Sequence, residues 1–299
     1  MFNFRYVWKF FLIAPRCKIC TVVIMWTYLG QNFLIDSKIR SYIADKISVL
    51  YRECECKALI EIGPGKGAIT KLIQDISDHF FVIEKDVNLI QNLEFRIQNE
   101  NKIQNLELIK WDVLEVDVER ILEEKKLSPK KTLVVWNLPY YITSPILRKF
   151  FWNWEQKYAW GIFMVQDEVG QKLRSDAKKK SYLRRLLNYA YDVTYLKWVP
   201  AKCFKPVPKV KSALIELKIK NWTLKIERDK LIEFLELFAP FSRKTLGAIQ
   251  TMLNKRFAIK ALPRSRDRDK MIKFSIPENL QKKRLEELDW ENIVTILVS

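Results

Sequence analysis

A short apolar segment that runs into three closely spaced glycines is the feature that most constrains the fold of this chain. Residues 58–62 read Ala-Leu-Ile-Glu-Ile, and Gly63, Gly65 and Gly67 follow; from Ile69 onward apolar residues recur at helical spacing. Glycines between a strand and a helix permit a tight turn and let a ligand come close to the backbone. The pattern predicts the first strand, turn and helix of an α/β sheet that binds a ligand at this turn.

Two further apolar segments each run into a carboxylate. Residues 80–83 are followed by Glu84, which lies 21 residues after Gly63, and residues 106–111 are followed by Asp112. An acidic residue at about that distance from the glycine turn suits hydrogen bonding to ribose hydroxyls. The turn lacks the Gly-Lys-Ser/Thr of a phosphate-binding P-loop, so the three segments together predict a nucleoside-binding α/β sheet.

A tetrapeptide, Asn137-Leu138-Pro139-Tyr140, directly follows the apolar residues 132–135. The apolar run predicts a buried strand, and ligands of open α/β sheets bind beyond the carboxyl ends of strands. The Asn137 amide oxygen and the Leu138 carbonyl can accept the two hydrogens of an exocyclic amine, while Tyr140 can stack on its ring. The alternative is a strand followed by a proline turn with no ligand. Together with the upstream motifs, the tetrapeptide favours S-adenosylmethionine (SAM) and an amine acceptor.

In these motifs the chain resembles the ribosomal RNA adenine dimethyltransferases (KsgA type, with its Dim and Erm relatives). The resemblance runs from about Leu29 to about Leu246. Gly30, which opens Gly-Gln-Asn-Phe-Leu, and the segment Arg243-Lys244-Thr245-Leu246 favour the KsgA branch over the Erm branch. The resemblance implies a Rossmann-like SAM-dependent methyltransferase sheet of the α/β class. Other matching segments are residues 82–84, 112, 137–140, 164–169 and 204–210.

The resemblance also implies roles for individual side chains. Glu84 would hold the cofactor ribose, and Asp112 would accept a hydrogen bond from the cofactor adenine amine. Leu138, Pro139 and Tyr140 would position the target adenine, with Phe204 as a second stacking surface. The residues expected to contact or border SAM are Asn32, Leu34, Gly63, Gly65, Gly67, Glu84, Asp112 and Asn137.

Methyl transfer of this kind needs no strong base, because the sulfonium of the cofactor already activates the methyl group. Asn137 and the Leu138 carbonyl would hold the amine hydrogens and so turn the nitrogen lone pair toward that methyl group. Positioning alone can supply roughly 7–11 kcal/mol. The one histidine, His79, is expected to be a surface or strand-edge residue rather than a catalyst.

The charge of the chain indicates an RNA partner. It has 53 Lys+Arg against 35 Asp+Glu, a formal net charge of +18, and residues 171–220 alone carry 14 basic and three acidic side chains. A positive groove beside aromatic residues suits a nucleic-acid backbone with splayed bases. The alternative is a solvated basic face. The residues expected to contact RNA are Lys178, Lys179, Lys180, Arg184, Arg185, Phe204, Lys209, Arg243 and Lys244.

The chain is long enough for an α/β domain and a smaller second domain. We place the methyltransferase domain at residues 25–221 and a helical RNA-contacting domain at 222–299, because apolar residues recur at helical spacing beyond the boundary. Residues 1–24 read as a dispensable extension. Charges and Pro15 interrupt its apolar run, which argues against a membrane helix, and translation would start at Met25.

The five cysteines do not indicate a disulfide framework. The pairs Cys17 and Cys20, and Cys54 and Cys56, could in principle bind zinc, but free thiols in a cytoplasmic protein are the preferred interpretation, and no metal is expected.

Tryptophan is frequent and glycine scarce, with 10 against 7 residues. Trp111 and Trp136 directly precede Asp112 and Asn137, at positions where the family usually has glycine, and indoles there are expected to crowd the adenine and methionine sites. We therefore predict that tryptophans such as these are UGA codons that the native organism reads as glycine. True substitutions with a reshaped pocket, or lost activity, are the alternatives, and the codons of the gene distinguish them.

The sequence thus predicts a monomeric, cytoplasmic SAM-dependent enzyme that dimethylates N6 of two adjacent adenines in small-subunit (16S) ribosomal RNA during subunit assembly. Two alternatives remain open: an Erm-type enzyme acting on 23S ribosomal RNA, and a non-catalytic RNA-binding assembly factor that kept the fold. A DNA or protein methyltransferase with an Asn-Pro-Pro-Tyr-like motif is a weaker third, because Leu138 replaces a proline of that motif.

Overall fold

The computed structural model describes residues 31–99, 105–137, 142–151, 158–174, 182–220, 228–258 and 274–298. The N-terminal extension (residues 1–24) and the predicted domain boundary at residue 221 lie outside these ranges. Within them, no helix has both the length and the apolar character needed to cross a membrane.

Strands and helices alternate along most of the chain. The strands are β1 (Phe33–Leu34), β2 (Ala58–Ile62), β3 (Phe80–Glu84), β4 (Leu106–Lys110), β5 (Thr132–Trp136), β6 (Trp160–Gln166), β7 (Tyr191–Val199), β8 (Phe204–Lys205) and β9 (Ser212–Ile219). The helices of the first part are α1 (Ser37–Glu53), α2 (Thr70–Ile73), α3 (Val87–Asn99), α4 (Val118–Glu124), α5 (Thr143–Phe151), α6 (Asp167–Leu173) and α7 (Tyr182–Ala190). Four more follow: α8 (Arg228–Phe238), α9 (Leu246–Ala258), α10 (Glu278–Gln281) and α11 (Trp290–Val298).

The central sheet has seven strands in the order β4-β3-β2-β5-β6-β9-β7. Strands β4, β3, β2, β5 and β6 are parallel, whereas β9 runs antiparallel to both β6 and β7. The chain moves outward from β2 to β4 and then returns to continue on the other side of β2 with β5. Strand order therefore reverses between β2 and β5, and a crevice for a ligand forms at the carboxyl ends of such strands. The predicted α/β class is confirmed.

Helices cover both faces of this sheet, so its inner strands are buried on both sides. Every residue of β2, β3 and β5 is buried, which explains their largely apolar composition. On one face the longest helix, α1, starts where the Asp36 carboxylate accepts a hydrogen bond from the Ile39 N–H at 2.9 Å. Its buried residues, among them Ile43, Ile47 and Leu50, recur at helical spacing and face the sheet.

A second, two-stranded sheet joins distant parts of the chain. Strand β1 pairs antiparallel with β8, so that Phe33 lies opposite Lys205 and Leu34 opposite Phe204. The Ile35 N–H continues this pairing by donating to the Cys203 carbonyl at 2.8 Å. The pairing holds the N-terminal strand against the edge of the sheet where the crevice lies.

The C-terminal helices form a hydrophobic cluster of their own. It contains Leu231, Phe234 and Phe238 of α8 together with Leu246 and Ile249 of α9, and residues of α10 and α11 complete it. Sequence periodicity predicted these helices, since apolar residues recur at helical spacing beyond residue 230.

One buried arginine connects the α/β part to the C-terminal helices. Arg185 of α7 is 3% exposed, and its guanidinium donates to the carbonyls of Leu285 and Leu288, the latter at 3.0 Å. Burial lowers the pKa of Arg185 to about 10, so the side chain remains charged at neutral pH. The α/β part therefore holds the C-terminal part through a charged donor on main-chain oxygens.

Candidate active site

A cavity of about 630 Å³ lies at the carboxyl ends of β2, β3 and β5, where strand order reverses. Its size is typical of small-molecule sites. Its wall includes all eight residues expected to border a cofactor: Asn32, Leu34, Gly63, Gly65, Gly67, Glu84, Asp112 and Asn137. The structure brings these residues together, and their roles toward a cofactor remain predictions.

The glycine turn after β2 forms the floor of this cavity. Gly63, Gly65 and Gly67 have φ angles of 63°, 59° and 71°, in the left-handed region that glycine adopts without strain. A Cβ atom at Gly65 would also lie 3.2 Å from the ring of Phe33 in β1. The turn therefore needs glycine at residue 65 both for its backbone angle and for the close approach of β1.

Glu84 fixes the glycine turn to the end of β3. Its carboxylate accepts hydrogen bonds from the N–H groups of Lys85 at 2.9 Å, Asp86 at 3.0 Å and Gly65 at 3.4 Å. Glu84 is buried, and this burial, partly offset by those hydrogen bonds, raises its pKa above the ordinary value. Its position on the cavity wall is suited to ribose hydroxyls.

Asp112 lies beyond β4 at another wall of the cavity. Its carboxylate accepts hydrogen bonds from the Leu114 N–H at 2.9 Å and from the Lys85 ammonium at 3.2 Å. Partial burial acts to raise the pKa of Asp112, but these two partners outweigh it and hold the pKa below the ordinary value. Asp112 is therefore an ionised hydrogen-bond acceptor at neutral pH.

Glu61 is a cavity residue to which sequence reasoning assigned no role. It is 4% exposed in β2, it lines the cavity, and its Oε2 atom has no hydrogen-bond partner within the described parts of the chain. Burial, more than the nearby Glu84 carboxylate, raises the pKa of Glu61 to about 7. In the sequence, the only sign of a role for Glu61 is its position two residues before Gly63. Its burial and the missing hydrogen-bond partner of its Oε2 atom are visible only in the structure.

Asn137 follows the last residue of β5 and is half-buried in the cavity wall. Strand β5 lies between β2 and β6, so Asn137 sits beside the glycine turn that follows β2. Leu138, Pro139 and Tyr140, which were expected to complete the substrate site, lie outside the described residues. Ile142, just beyond them, is buried and also lines the cavity.

The two tryptophans expected to crowd the cavity are placed differently. Trp111 is 57% exposed and lines the cavity beside Asp112. Trp136 is 4% exposed and instead packs into the core on one face of the sheet, where its ring stacks on Phe163 with 3.4 Å between centroids. The prediction that Trp136 crowds the site is wrong, because its side chain belongs to this core cluster and does not line the cavity.

Phe204 does not provide the expected second stacking surface. Its side chain is 2% exposed and packs with α1 and the sheet in the core of the other face. Its backbone pairs with Leu34 in the two-stranded sheet, and this pairing faces the ring inward. The neighbouring Lys205 is exposed and lines the cavity, although sequence reasoning assigned it no role.

Two of the basic residues expected to contact RNA are buried instead. Arg184 is 8% exposed and donates to the Arg174 carbonyl at 3.0 Å. Arg185 donates to carbonyls of the C-terminal part, as described above. These predictions are wrong, because both guanidinium groups are buried on main-chain oxygens and neither is available to a phosphate.

Three other predicted RNA contacts, Lys209, Arg243 and Lys244, are exposed. Lys178, Lys179 and Lys180 lie outside the described residues. His79 is exposed at the start of β3 and away from the cavity wall.

The described cysteines are free and buried thiols. Burial raises the pKa of Cys54 to about 11 and that of Cys56 to about 12, so neither is a ready thiolate ligand. Among the described residues, no cluster of side chains has the composition of a metal site. Cys17 and Cys20 fall outside them.

Comparison with known proteins gives a consistent result. The sequence model described as ribosomal RNA adenine dimethylase matches residues 25–296. A protein of Mesoplasma florum named ribosomal RNA small subunit methyltransferase A is 36% identical over 222 residues, which are 73% of this chain and 80% of that relative. Its namesake in Alkaliphilus metalliredigens is 34% identical over 232 residues, 75% of this chain and 77% of that relative.

Solved structures share the fold. The crystal structure of a dimethyladenosine transferase from Plasmodium falciparum has a TM-score of 0.65 at 22% identity and covers 89% of this chain and 95% of its own. That of the 23S rRNA methyltransferase ErmE has a TM-score of 0.59 at 22% identity and covers 90% of this chain and 100% of its own. These structures agree with the sequence matches, which show that the chain belongs to the ribosomal RNA adenine dimethylase family.

Proposed function

We propose that this protein transfers methyl groups from SAM to N6 of two adjacent adenines in small-subunit ribosomal RNA, acting as a monomer on assembling subunits in the cytoplasm. The observation that carries this proposal is the cavity at the strand reversal, which brings Asn137 next to a glycine turn and two carboxylates. Membership of the adenine dimethylase family supports the same reaction.

The residues of the cavity fit SAM. The ammonium of its amino acid part suits the Glu61 carboxylate, whose Oε2 has no partner in the described part of the chain. Glu84 is placed for the ribose hydroxyls, and Asp112, an ionised acceptor, for the adenine amine. The glycine turn lets the backbone approach the ligand closely. When bound, SAM supplies a methyl group on a sulfonium.

The contribution of the chain to the transfer is positioning. Asn137, at the end of a buried strand, offers its amide oxygen to one amine hydrogen of the target adenine, and the Leu138 carbonyl offers itself to the other. These two acceptors would direct the nitrogen lone pair away from the protein and toward the methyl group. As the new N–C bond forms and the bond between the methyl group and sulfur breaks, leaving a neutral thioether, the amine would lose a proton to solvent, so a strong base would not be required.

Two other functions make different predictions. An Erm-type enzyme would methylate large-subunit RNA, but the relatives at 34–36% identity bear the name small subunit methyltransferase A, whereas ErmE resembles this chain in fold. A non-catalytic assembly factor would have no need of an open cavity with an unpartnered carboxylate at its wall.

The proposal is tested by methyl transfer from labelled SAM into small subunits that lack adenine dimethylation. We expect label in two adjacent adenines with the wild-type protein. Asn137→Ala should reduce transfer by at least about 100-fold, because misplacing the reacting groups alone has that effect. Its affinity for the subunit should stay close to that of the wild type, since the exposed lysines expected to contact phosphates are unchanged.

Asn92→Ala serves as the matched control, since Asn92 is an exposed asparagine of α3 away from the cavity wall. It should retain full activity. Label in large-subunit RNA would favour the Erm-type function, and tight subunit binding without label would favour the assembly factor. Loss of SAM binding and subunit binding together in Asn137→Ala would indicate misfolding and not a lost contact.

A further inference from the structure

A basic strip, residues 197–211, reaches the cavity at Lys205 and has no acidic partner among the residues that the structure describes. Residues 197–211 contain five lysines and no aspartate or glutamate, and all five lysines are exposed. Within the described part of the chain none of them forms an ion pair with a carboxylate. Lys205 of this strip lines the cavity. The basic strip therefore carries five positive charges, one of which, on Lys205, lies at the wall of the proposed active site.

A large aromatic side chain within the same strip lies beside its last lysine. Trp198 of β7 is 47% exposed, and the ammonium of Lys211 lies 5.5 Å from the centre of its ring. An exposed indole next to a cation matches the chemistry that binds single-stranded nucleic acid, in which bases stack on aromatic rings and cations contact the backbone.

Strand register places this pair at the same edge of the sheet as Asn137. Trp198 pairs with Ala213 of β9, which pairs with Val165 of β6. Trp136 pairs with Phe163, so Asn137 lies one position beyond the level of Phe163, whereas Trp198 lies level with Val165. Asn137 and Trp198 are therefore at nearly the same level along the strands. β5 and β7 are three strand positions apart, which corresponds to about 14 Å along the edge. An RNA strand with its target adenine at Asn137 can reach Trp198 with a neighbouring nucleotide.

Two acidic residues at the start of α6, where the chain contacts Lys211, are already engaged. Asp167 donates its N–H to the Lys211 carbonyl at 2.9 Å, and its carboxylate accepts the Tyr195 hydroxyl at 2.5 Å. The Glu168 carboxylate accepts from Lys172 at 2.6 Å. Lys211 is thus available to a phosphate.

We propose that Trp198 and Lys211 form a nucleotide-binding site for RNA next to the target adenine. The base stacks on the exposed indole, and the phosphate lies beside Lys211 and the rest of the basic strip. This assignment supplies the second aromatic contact that the buried Phe204 cannot make. It rests on the proposed function, because it requires RNA to lie along the carboxyl edge of the sheet.

The test measures the affinity of the full chain for a short single-stranded RNA with two adjacent adenines and for small subunits lacking adenine dimethylation. Trp198→Ala should weaken RNA affinity about 5- to 150-fold, the range that base stacking on an aromatic side chain supports. Trp198→Phe should recover most of this loss. Lys211→Gln should lower the dependence of log affinity on log salt by about 1. SAM affinity, measured in the same preparations, should be unchanged in all three.

Phe95→Ala is the matched control, because Phe95 is 68% exposed and lies in α3, which follows β3, a strand five positions from β7 in the sheet. Equal RNA affinity of Trp198→Ala and Phe95→Ala would overturn the site while leaving the proposed function intact. A wild-type protein that binds SAM but neither binds RNA nor transfers methyl groups would overturn both. A UGA codon at residue 198 that the organism reads as glycine would also remove the site.

Discussion

At the scale of single residues, Glu61 is the most unusual group in the cavity. A buried carboxylate with an unpartnered oxygen is unfavourable unless a proton or a cation compensates it. In the ligand-free protein the proton has this role, as the raised pKa of about 7 indicates. A cationic ligand could replace this proton. Glu61 would then bind the ligand, and the affinity for that ligand would depend on pH.

The free energy of unfolding of the ligand-free protein should therefore fall as pH rises from about 5 to 8. Folded Glu61 has a pKa of about 7 against an ordinary value of 4.5, so the folded state holds this proton more tightly. The resulting stabilisation is full below the ordinary value, is lost progressively as pH rises to the folded pKa, and is gone above it. The shift corresponds to roughly 3 kcal/mol. Glu61→Gln should flatten the dependence, as measured by denaturant unfolding at several pH values.

Glu115→Gln, which changes an exposed carboxylate, is the control and should leave the pH dependence unchanged. Glu84 also has a raised pKa, so part of the dependence should survive in Glu61→Gln. An identical pH profile for Glu61→Gln and the wild type would contradict the role of Glu61.

Residue type and spacing predicted which side chains reach the cavity, but not which charged or aromatic groups are exposed. All eight expected cofactor residues line it, because each lies at a turn or strand end whose position follows from the alternation of strands and helices. Phe204, Arg184 and Arg185 were expected at the RNA surface and are buried. Composition reports the charge of a segment, whereas exposure depends on partners that are distant in sequence, such as the carbonyls of Leu285 and Leu288.

At the scale of elements, helix α7 connects the α/β part to the C-terminal helices through Arg185. Arg185→Met should weaken the C-terminal part, because it removes the charged donor that Leu285 and Leu288 share, at roughly 1.5–3 kcal/mol for a hydrogen bond to a charged group. Hydrogen exchange of α10 and α11 should become faster, while SAM affinity stays unchanged.

Arg243→Met is the control for this change, since Arg243 is exposed in the C-terminal part. It should leave hydrogen exchange as it is and lower RNA affinity. Unchanged exchange in Arg185→Met would mean that the C-terminal helices are held by their own hydrophobic cluster alone.

Long strands could be predicted at this scale, and the short pair β1 and β8 could not. The apolar runs of β2, β3 and β5 are buried on both faces and read clearly in the sequence. β1 and β8 have two residues each and are defined by pairing across about 170 positions, for which local patterns carry no information.

At the scale of the whole molecule, the net charge of +18 predicts RNA binding that depends strongly on salt. Lys202 and Lys209 of the basic strip are exposed and could each release a counterion from the RNA. Changing both to Gln should lower the slope of log affinity against log salt by about 1 to 2, given roughly 0.7 per phosphate contact in single strands.

The double variant Lys110→Gln and Lys125→Gln removes the same charge at the opposite end of the sheet, where both lysines are paired with glutamates. It should leave the slope nearly unchanged. Equal slopes in the two double variants would show that net charge, and not the basic strip, determines the salt dependence.

The pairing of β1 with β8 has a consequence for the order of events during synthesis. Residues of both strands form the cavity wall, so the wall at Phe33 cannot close until the chain has been translated beyond Lys205. Domains generally fold as units while they emerge from the ribosome. A nascent chain that ends before β8 would have the glycine turn and Glu84 but only part of the cavity. Ligand capture would therefore begin late in translation, once two thirds of the protein has left the exit tunnel.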